Sequence, residues 1–148
     1  NPAPARKLPE ELIANADFIL PNETELNLLT GAPVTDTASA EKAARILLTR
    51  GTKNILVTLG AKGALLVSSS RVKPINTYKV DVVDTTAAGD AFIGGFASAL
   101  LRGVEIEEAV KYANACGALA TTKFGAQPSL PTKEETERFM SLRGHSGS

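Results

Sequence analysis

A chain of 148 residues that is 43% hydrophobic is large enough for one ordinary folded domain with a real core and too short for two. Its 16 basic and 16 acidic residues cancel, which excludes a broad electrostatic field that would draw it to nucleic acid or membrane and leaves room only for a local anion site. The single cysteine, Cys116, excludes an internal disulfide, and the lack of a long apolar run or a signal-peptide pattern predicts a cytoplasmic protein.

In chain order, residues 9–16 (PEELIANA) read as a short helix and 17–20 (DFIL) as a short buried strand that stops at Pro21. A helix over 23–29 ends at Gly31, and a second over 37–50 carries Ala40, Ala43, Ala44, Leu47 and Leu48 at helical spacing before Gly51. "NILVTLG" reads as a buried strand and "ALLVSS" as another, joined by "GAKG". The β-branched stretch 72–83 contains Pro74 and predicts edge strands or an extended crossing. Helices follow over 88–101, 106–123 and 133–142. Helices alternating with apolar strands predict an α/β layer with parallel strands, whose ligands bind beyond the carboxyl ends of the strands. Pro21-Asn22, Thr58-Leu59-Gly60 and Asp84-Thr85 each follow a predicted strand, so the three are expected on one edge.

The ends are unusual. The chain begins at Asn1-Pro2 and closes with "GHSGS", so residues 1–142 are expected to be the folded part of a fragment and 143–148 a flexible remnant of cloning. His145 in that tail is the only histidine, which excludes most hydrolytic triads and histidine metal sites and leaves acid-base work to Asp, Glu, Lys or Tyr.

Three stretches could carry chemistry. "PNETE" has the residue types of a capping box, Asn22 capping and Glu25 reaching back, and the same pair could face a metal-bound phosphate, since Mg²⁺ takes carboxylates directly or through water. "TLGAKG" is explained by a hairpin or tight turn at Gly60 and Gly63, and it matches neither usual glycine-rich nucleotide fingerprint. In "DTTAAGDAFIGGF", Phe92, Ile93, Phe96, Ala99 and Leu100 form an apolar stripe, as in any core helix. That stripe leaves Ala87-Ala88-Gly89 ahead of Asp90 unexplained. Small side chains there would let an anion reach the free N–H groups of the first turn, with Asp90 placed to accept a proton from a hydroxyl that attacks a phosphoryl group. Asn114 reads as a hydrogen-bonded polar residue on a helix face and Cys116 as a small packing residue.

The succession "NPAPA", "PNETE", "TLGAKG", "DTTAAGDAF", "GAQPS" resembles the ribokinase and adenosine-kinase family of carbohydrate kinases over nearly the whole chain, and "GAQPS" favours its ribokinase branch. The resemblance implies the C-terminal, nucleotide-binding portion of a three-layer α/β fold with helices on both faces of the sheet. It implies Asp90 as catalytic base toward the sugar hydroxyl and Ala87, Ala88, Gly89 and Asp90 as an anion hole for the γ-phosphate. ATP contacts would come from Asn22, Thr58, Leu59, Gly60, Ala61, Lys62, Gly63, Gly89 and Asn114, the last against the adenine, and Glu25 would organise Mg²⁺ through water. A K⁺ ion would be held by Asp84, by the carbonyls of Thr86, Ala120, Lys123 and Gly125, and by Ser129. D-ribose, phosphorylated to ribose 5-phosphate, is the implied sugar of the intact enzyme. The family's N-terminal half is missing, so the expected partner is that half or a second copy of the chain. A half-domain that binds nucleotide or self-associates without catalysis would carry the same motifs.

Overall fold

The order of elements in the computed structural model, which describes residues 1–2, 6–124 and 130–144, is α1 (Glu10–Asn15), β1 (Phe18–Ile19), α2 (Glu23–Thr30), α3 (Thr37–Thr49), β2 (Asn54–Thr58), β3 (Ala64–Ser68), β4 (Val72–Ile75), α4 (Ala88–Leu101), α5 (Ile106–Thr121) and α6 (Lys133–Gly144). They fall into two units, Asn1–Ile75 and Asn76–Ser148.

The first unit is a four-stranded sheet in the order β1-β2-β3-β4 with its helices. Only β1 and β2 are parallel; β2–β3 and β3–β4 are antiparallel, so the expectation of parallel strands holds for one pair only and the sheet is mixed, with the hairpin read at "GAKG" joining β2 to β3. The reason lies in the connection. A parallel crossover needs roughly a dozen residues, whereas "GAKG" is a single 3-10 turn (Gly60–Lys62) that reverses the chain at once. Gly60 and Gly63 take φ of +58° and +88°, the left-handed region that the reversal requires and glycine reaches without strain.

Strand alternation sets the two faces. Ile55 and Val57 lie opposite Val67 and Leu65 and join Ile13, Ile19, Leu26, Leu29, Ala40, Ala43, Ala44 and Leu47 in one core. Leu56 and Leu66, paired on the other face, are also fully buried, as a sheet buried on both faces demands. Pro74 sits in β4, which pairs on one side only, where its missing N–H costs no ladder bond. The end of α3 is fixed by contact as well as by turn chemistry: at Gly51, with φ +111°, an added Cβ would stand 2.8 Å from the Ala14 backbone.

In the second unit α4 packs on α5 through small residues. A Cβ at Gly95 would meet Cys116 Sγ at 2.7 Å and Cys116 Cβ at 3.0 Å. α6 rests on α5 through Thr136, which is fully buried and has its hydroxyl 3.6 Å from Cys116 Sγ. Of the stretch 72–83, residues 72–75 form the edge strand β4, as one of the two expected forms has it, and residues 76–83 belong to no strand or helix. α5 ends at Thr121, two residues short of the expected Lys123. Among the described residues no helix is long and apolar enough to cross a membrane.

Candidate functional site

In the first unit the expected residues gather where the parallel strands β1 and β2 end. The Thr58 N–H donates to the Pro21 carbonyl at 2.9 Å, and Asn22 and Thr58 form an isolated parallel bridge. Asn22 caps α2: its Oδ1 accepts from the Glu25 N–H and Glu25 Oε1 accepts from the Asn22 N–H, each at 2.8 Å. The capping box is therefore real, and it buries Glu25 to 6% exposure. Among the described residues its second oxygen takes no hydrogen bond, so the same carboxylate can serve both a cap and a hydrated Mg²⁺. Next to it, Leu59 is buried with its N–H on the Gly63 carbonyl at 2.8 Å, while Gly60, Ala61 and Lys62 stand exposed on the turn. The Asp36 carboxyl that caps α3 lies below its ordinary range, held there by bonds from Ser39 and, to the least extent, by the charge of Lys62.

The second unit holds the acidic stretch. Asp84 follows extended chain and not a strand, so the expectation of three strand ends holds for Asn22 and Thr58 only. Its Oδ1 accepts from the Thr86 N–H at 2.8 Å and from the Thr86 hydroxyl, an Asx turn that ties the carboxylate into the loop. The loop is in turn fastened to the end of α5, where the Thr121 carbonyl accepts from the Val83 and Asp84 N–H groups at 2.7 and 3.1 Å. Asp84 and Thr86 thus lie beside the segment that contains Ala120 and Lys123. The Lys123 ammonium points to Glu135, 3.4 Å away on α6, which leaves only its backbone for any ion in the loop. Gly125 and Ser129 lie outside the described residues.

The start of α4 differs from those of α2, α3 and α5 and shares its lack of a side-chain cap with the six-residue α1. α2 and α3 begin with capping boxes and α5 with the Glu105 carboxylate on two amides, whereas α4 has no side-chain cap. The Ala88 N–H reaches Thr85 and the Ala91 N–H reaches Ala87, but the Gly89 and Asp90 N–H groups find no backbone acceptor among the described residues. Ala87 is buried, Gly89 and Asp90 are exposed, and among the described residues a Cβ at Gly89 would meet no atom within 4 Å beyond its own turn of helix. This is a helix N-terminus with free donors, open space in front and one carboxylate in its first turn, the arrangement that suits an oxyanion.

Asn114 is 4% exposed, and its Nδ2 donates to the Asn76 carbonyl at 3.2 Å. The carboxamide therefore anchors the start of the 76–83 crossing, in line with the hydrogen-bonded helix residue read from its neighbours. Sequence reasoning missed the Thr121 carbonyl, which no side chain announces, and it missed Glu135. The latter was legible: Thr132 and Glu135 form a reciprocal cap at the start of α6, a Thr-x-x-Glu pattern. Among the described residues no group of three or more His, Cys, Asp or Glu could hold a metal.

Residues 1–133 match the pattern of the pfkB family carbohydrate kinases. The chain is 45% identical over 140 residues to a ribokinase of Haemophilus influenzae, covering 95% of this chain and 46% of that protein. A crystal structure of ribokinase from Thermotoga maritima superposes with a TM-score of 0.86 at 44% identity, over 95% of this chain and 47% of that one. The structure of Arabidopsis thaliana ribokinase complexed with ribose and ATP gives a TM-score of 0.87 at 34% identity, over 92% and 44%. The chain thus spans about half the length of the relatives it matches, and its α/β fold is ribokinase-like over that span.

Proposed function

The chain belongs to the pfkB family of carbohydrate kinases, and on that premise we propose that it carries the nucleotide and phosphate subsites of an enzyme that transfers the γ-phosphoryl group of ATP to a sugar hydroxyl. D-ribose, converted to ribose 5-phosphate, is the favoured acceptor; the relatives named ribokinase and the one complexed with ribose and ATP support it. The observation that carries the proposal is the uncapped start of α4, where among the described residues the Gly89 and Asp90 amides meet no backbone acceptor and a Cβ at Gly89 meets open space.

In this reading Ala87, Ala88, Gly89 and Asp90 form the hole that receives the negative oxygens of the transferring group. The two free N–H groups and the helix dipole stabilise charge there without reorganising, the main requirement of phosphoryl transfer. Asp90 is exposed and so reachable by a hydroxyl; its carboxylate takes the proton as the new O–P bond forms. Asn22 and Thr58 to Gly63 hold the remainder of the nucleotide, and Asn114 borders the adenine. Mg²⁺, through water on Glu25, would neutralise phosphate charge. K⁺ would sit behind the hole on Asp84 and the carbonyls of Thr86, Ala120, Lys123 and Gly125, with Ser129; a carboxylate already fixed by Thr86 and a backbone pinned to Thr121 fit a weakly hydrated ion.

Because the chain spans about half of its relatives, the sugar contacts are to be completed by a missing N-terminal portion or a second copy. A half-domain that binds nucleotide without catalysis is separated from this reading by assay. Ribose phosphorylation is measured for the chain alone and after mixing with the complementary portion of a relative, with Asp90→Asn as control. The proposal expects turnover in the mixture and a loss of about 10²- to 10⁴-fold in kcat for Asp90→Asn with ATP binding retained. An unchanged kcat would remove Asp90 from the base role.

A further inference from the structure

The 76–83 crossing, which leads to Asp84 and the start of α4, belongs to no sheet or helix, yet it is fastened along its length. Asn114 holds the Asn76 carbonyl and Thr121 holds the Val83 and Asp84 amides, both from α5. The middle is held by α6. The rings of Tyr78 and Phe139 meet edge to face with centroids 5.1 Å apart, the Arg143 guanidinium lies 5.0 Å from the centre of the Phe139 ring, and the same guanidinium donates to the Lys79 carbonyl. At the other end of α6, Glu135 accepts from both the Thr132 N–H and the Lys123 ammonium just past α5.

We propose that α6 is a brace that positions the Asp84–Asp90 loop, with Phe139 and Arg143 as positioning residues on the crossing and Glu135 as the positioning residue on the α5 end. Of the two segments that would supply oxygens to one ion, the one leading to Asp84 is held at Tyr78 and Lys79 by one end of α6, and the one at Lys123 is held by the other end. A loop of a dozen residues without ladder bonds samples many conformations unless it is pinned, and each pin lowers the entropy that ion binding must otherwise remove. The brace therefore acts on the affinity of the loop for its cation and not on the chemistry of Asp90. The inference rests on the cation reading given under the proposed function.

Arg143→Gln and Phe139→Ala test it in the full chain by hydrogen exchange, with K⁺ titrated against a constant ionic strength of Na⁺. The expected result is faster exchange at Val83 and Asp84 by about threefold to tenfold, the worth of one net hydrogen bond, with α4–α5 core amides such as Ala99 and Val110 unchanged. The K⁺ concentration that half-protects the loop rises by a similar factor, and Arg143→Lys restores both readouts. Unchanged exchange at Val83 and Asp84 in both variants overturns the brace. Faster loop exchange in the variants with no K⁺ effect in any protein keeps the brace and removes the cation reading. Equal acceleration at core and loop amides is loss of the fold and overturns it for Phe139; exposed Arg143 then decides.

Discussion

One methyl group added at Gly95 measures how tightly α4 is joined to α5. Two terms oppose each other in Gly95→Ala. Replacing glycine by alanine inside a helix gains about 1 kcal/mol, while the new Cβ would stand 2.7 Å from Cys116 Sγ, 3.0 Å from its Cβ and 3.4 Å from Ala113 Cα. The last two distances involve atoms that move only with the backbone of α5, so the overpacking cost of about 1–3 kcal/mol wins or at least cancels the gain. Cys116→Ala alone removes a buried sulfur and costs about 1 kcal/mol for the small void. Combined, the two changes exchange a glycine–cysteine contact for an alanine–alanine one. The 2.7 Å contact with Sγ is gone and the new methyl fills part of its space, while the 3.0 Å approach to the Cβ of residue 116 remains, so the pair is expected within about 1 kcal/mol of the original chain, with a favourable coupling of about 1 kcal/mol. Urea unfolding of the four proteins, compared at constant m-value, provides the numbers. If Gly95→Ala stabilises equally with Cys116 present and with Cys116→Ala, the helices are not in the contact described and the reasoning fails.

At Gly51, Gly51→Ala combines a φ of +111° with a Cβ 2.8 Å from the Ala14 backbone, so a loss of about 3 kcal/mol or more is expected in the same assay; a change under about 0.5 kcal/mol would contradict it. Glu135 titrates below its ordinary value because of its bonds to Thr132 and Lys123. The folded state therefore holds its proton less tightly than the unfolded state, and the stability this gives is present above the ordinary carboxylate range and lost as pH falls through the lowered value. Glu135→Gln keeps the cap and should flatten the fall of the unfolding midpoint below about pH 4.5, whereas parallel pH curves would refute the assignment. Burial pushes the Cys116 thiol above its ordinary range, so a thiol reagent at pH 8 should label it only in denaturant; stoichiometric labelling of the folded chain would show the α4–α5 contact to be open.

Elements with strong periodicity were legible from the sequence. The α3 stripe from Ala40 to Leu47, the cap at Asn22 and the glycine stops needed only local chemistry, and they appear within a residue or two. Strand direction was not legible in the same way, because buried runs such as "NILVT" and "ALLVS" look alike whether parallel or antiparallel; the short "GAKG" link held the answer. At the site, side-chain identity pointed to Asn22, Glu25, Asp84 and Asp90, since carboxylates and caps leave a mark. The Thr121 carbonyl and the Lys79 carbonyl under Arg143 leave none, because any residue offers the same backbone oxygen and only the fold decides which one is reached.

The central claim is that this chain by itself contains a site for ATP phosphates. It is tested most directly by titrating the chain with MgATP in K⁺ buffer and following its unfolding midpoint. Saturable stabilisation reaching about 2.7 kcal/mol at a hundredfold excess over Kd is the expected result. No stabilisation at any nucleotide concentration would contradict the account.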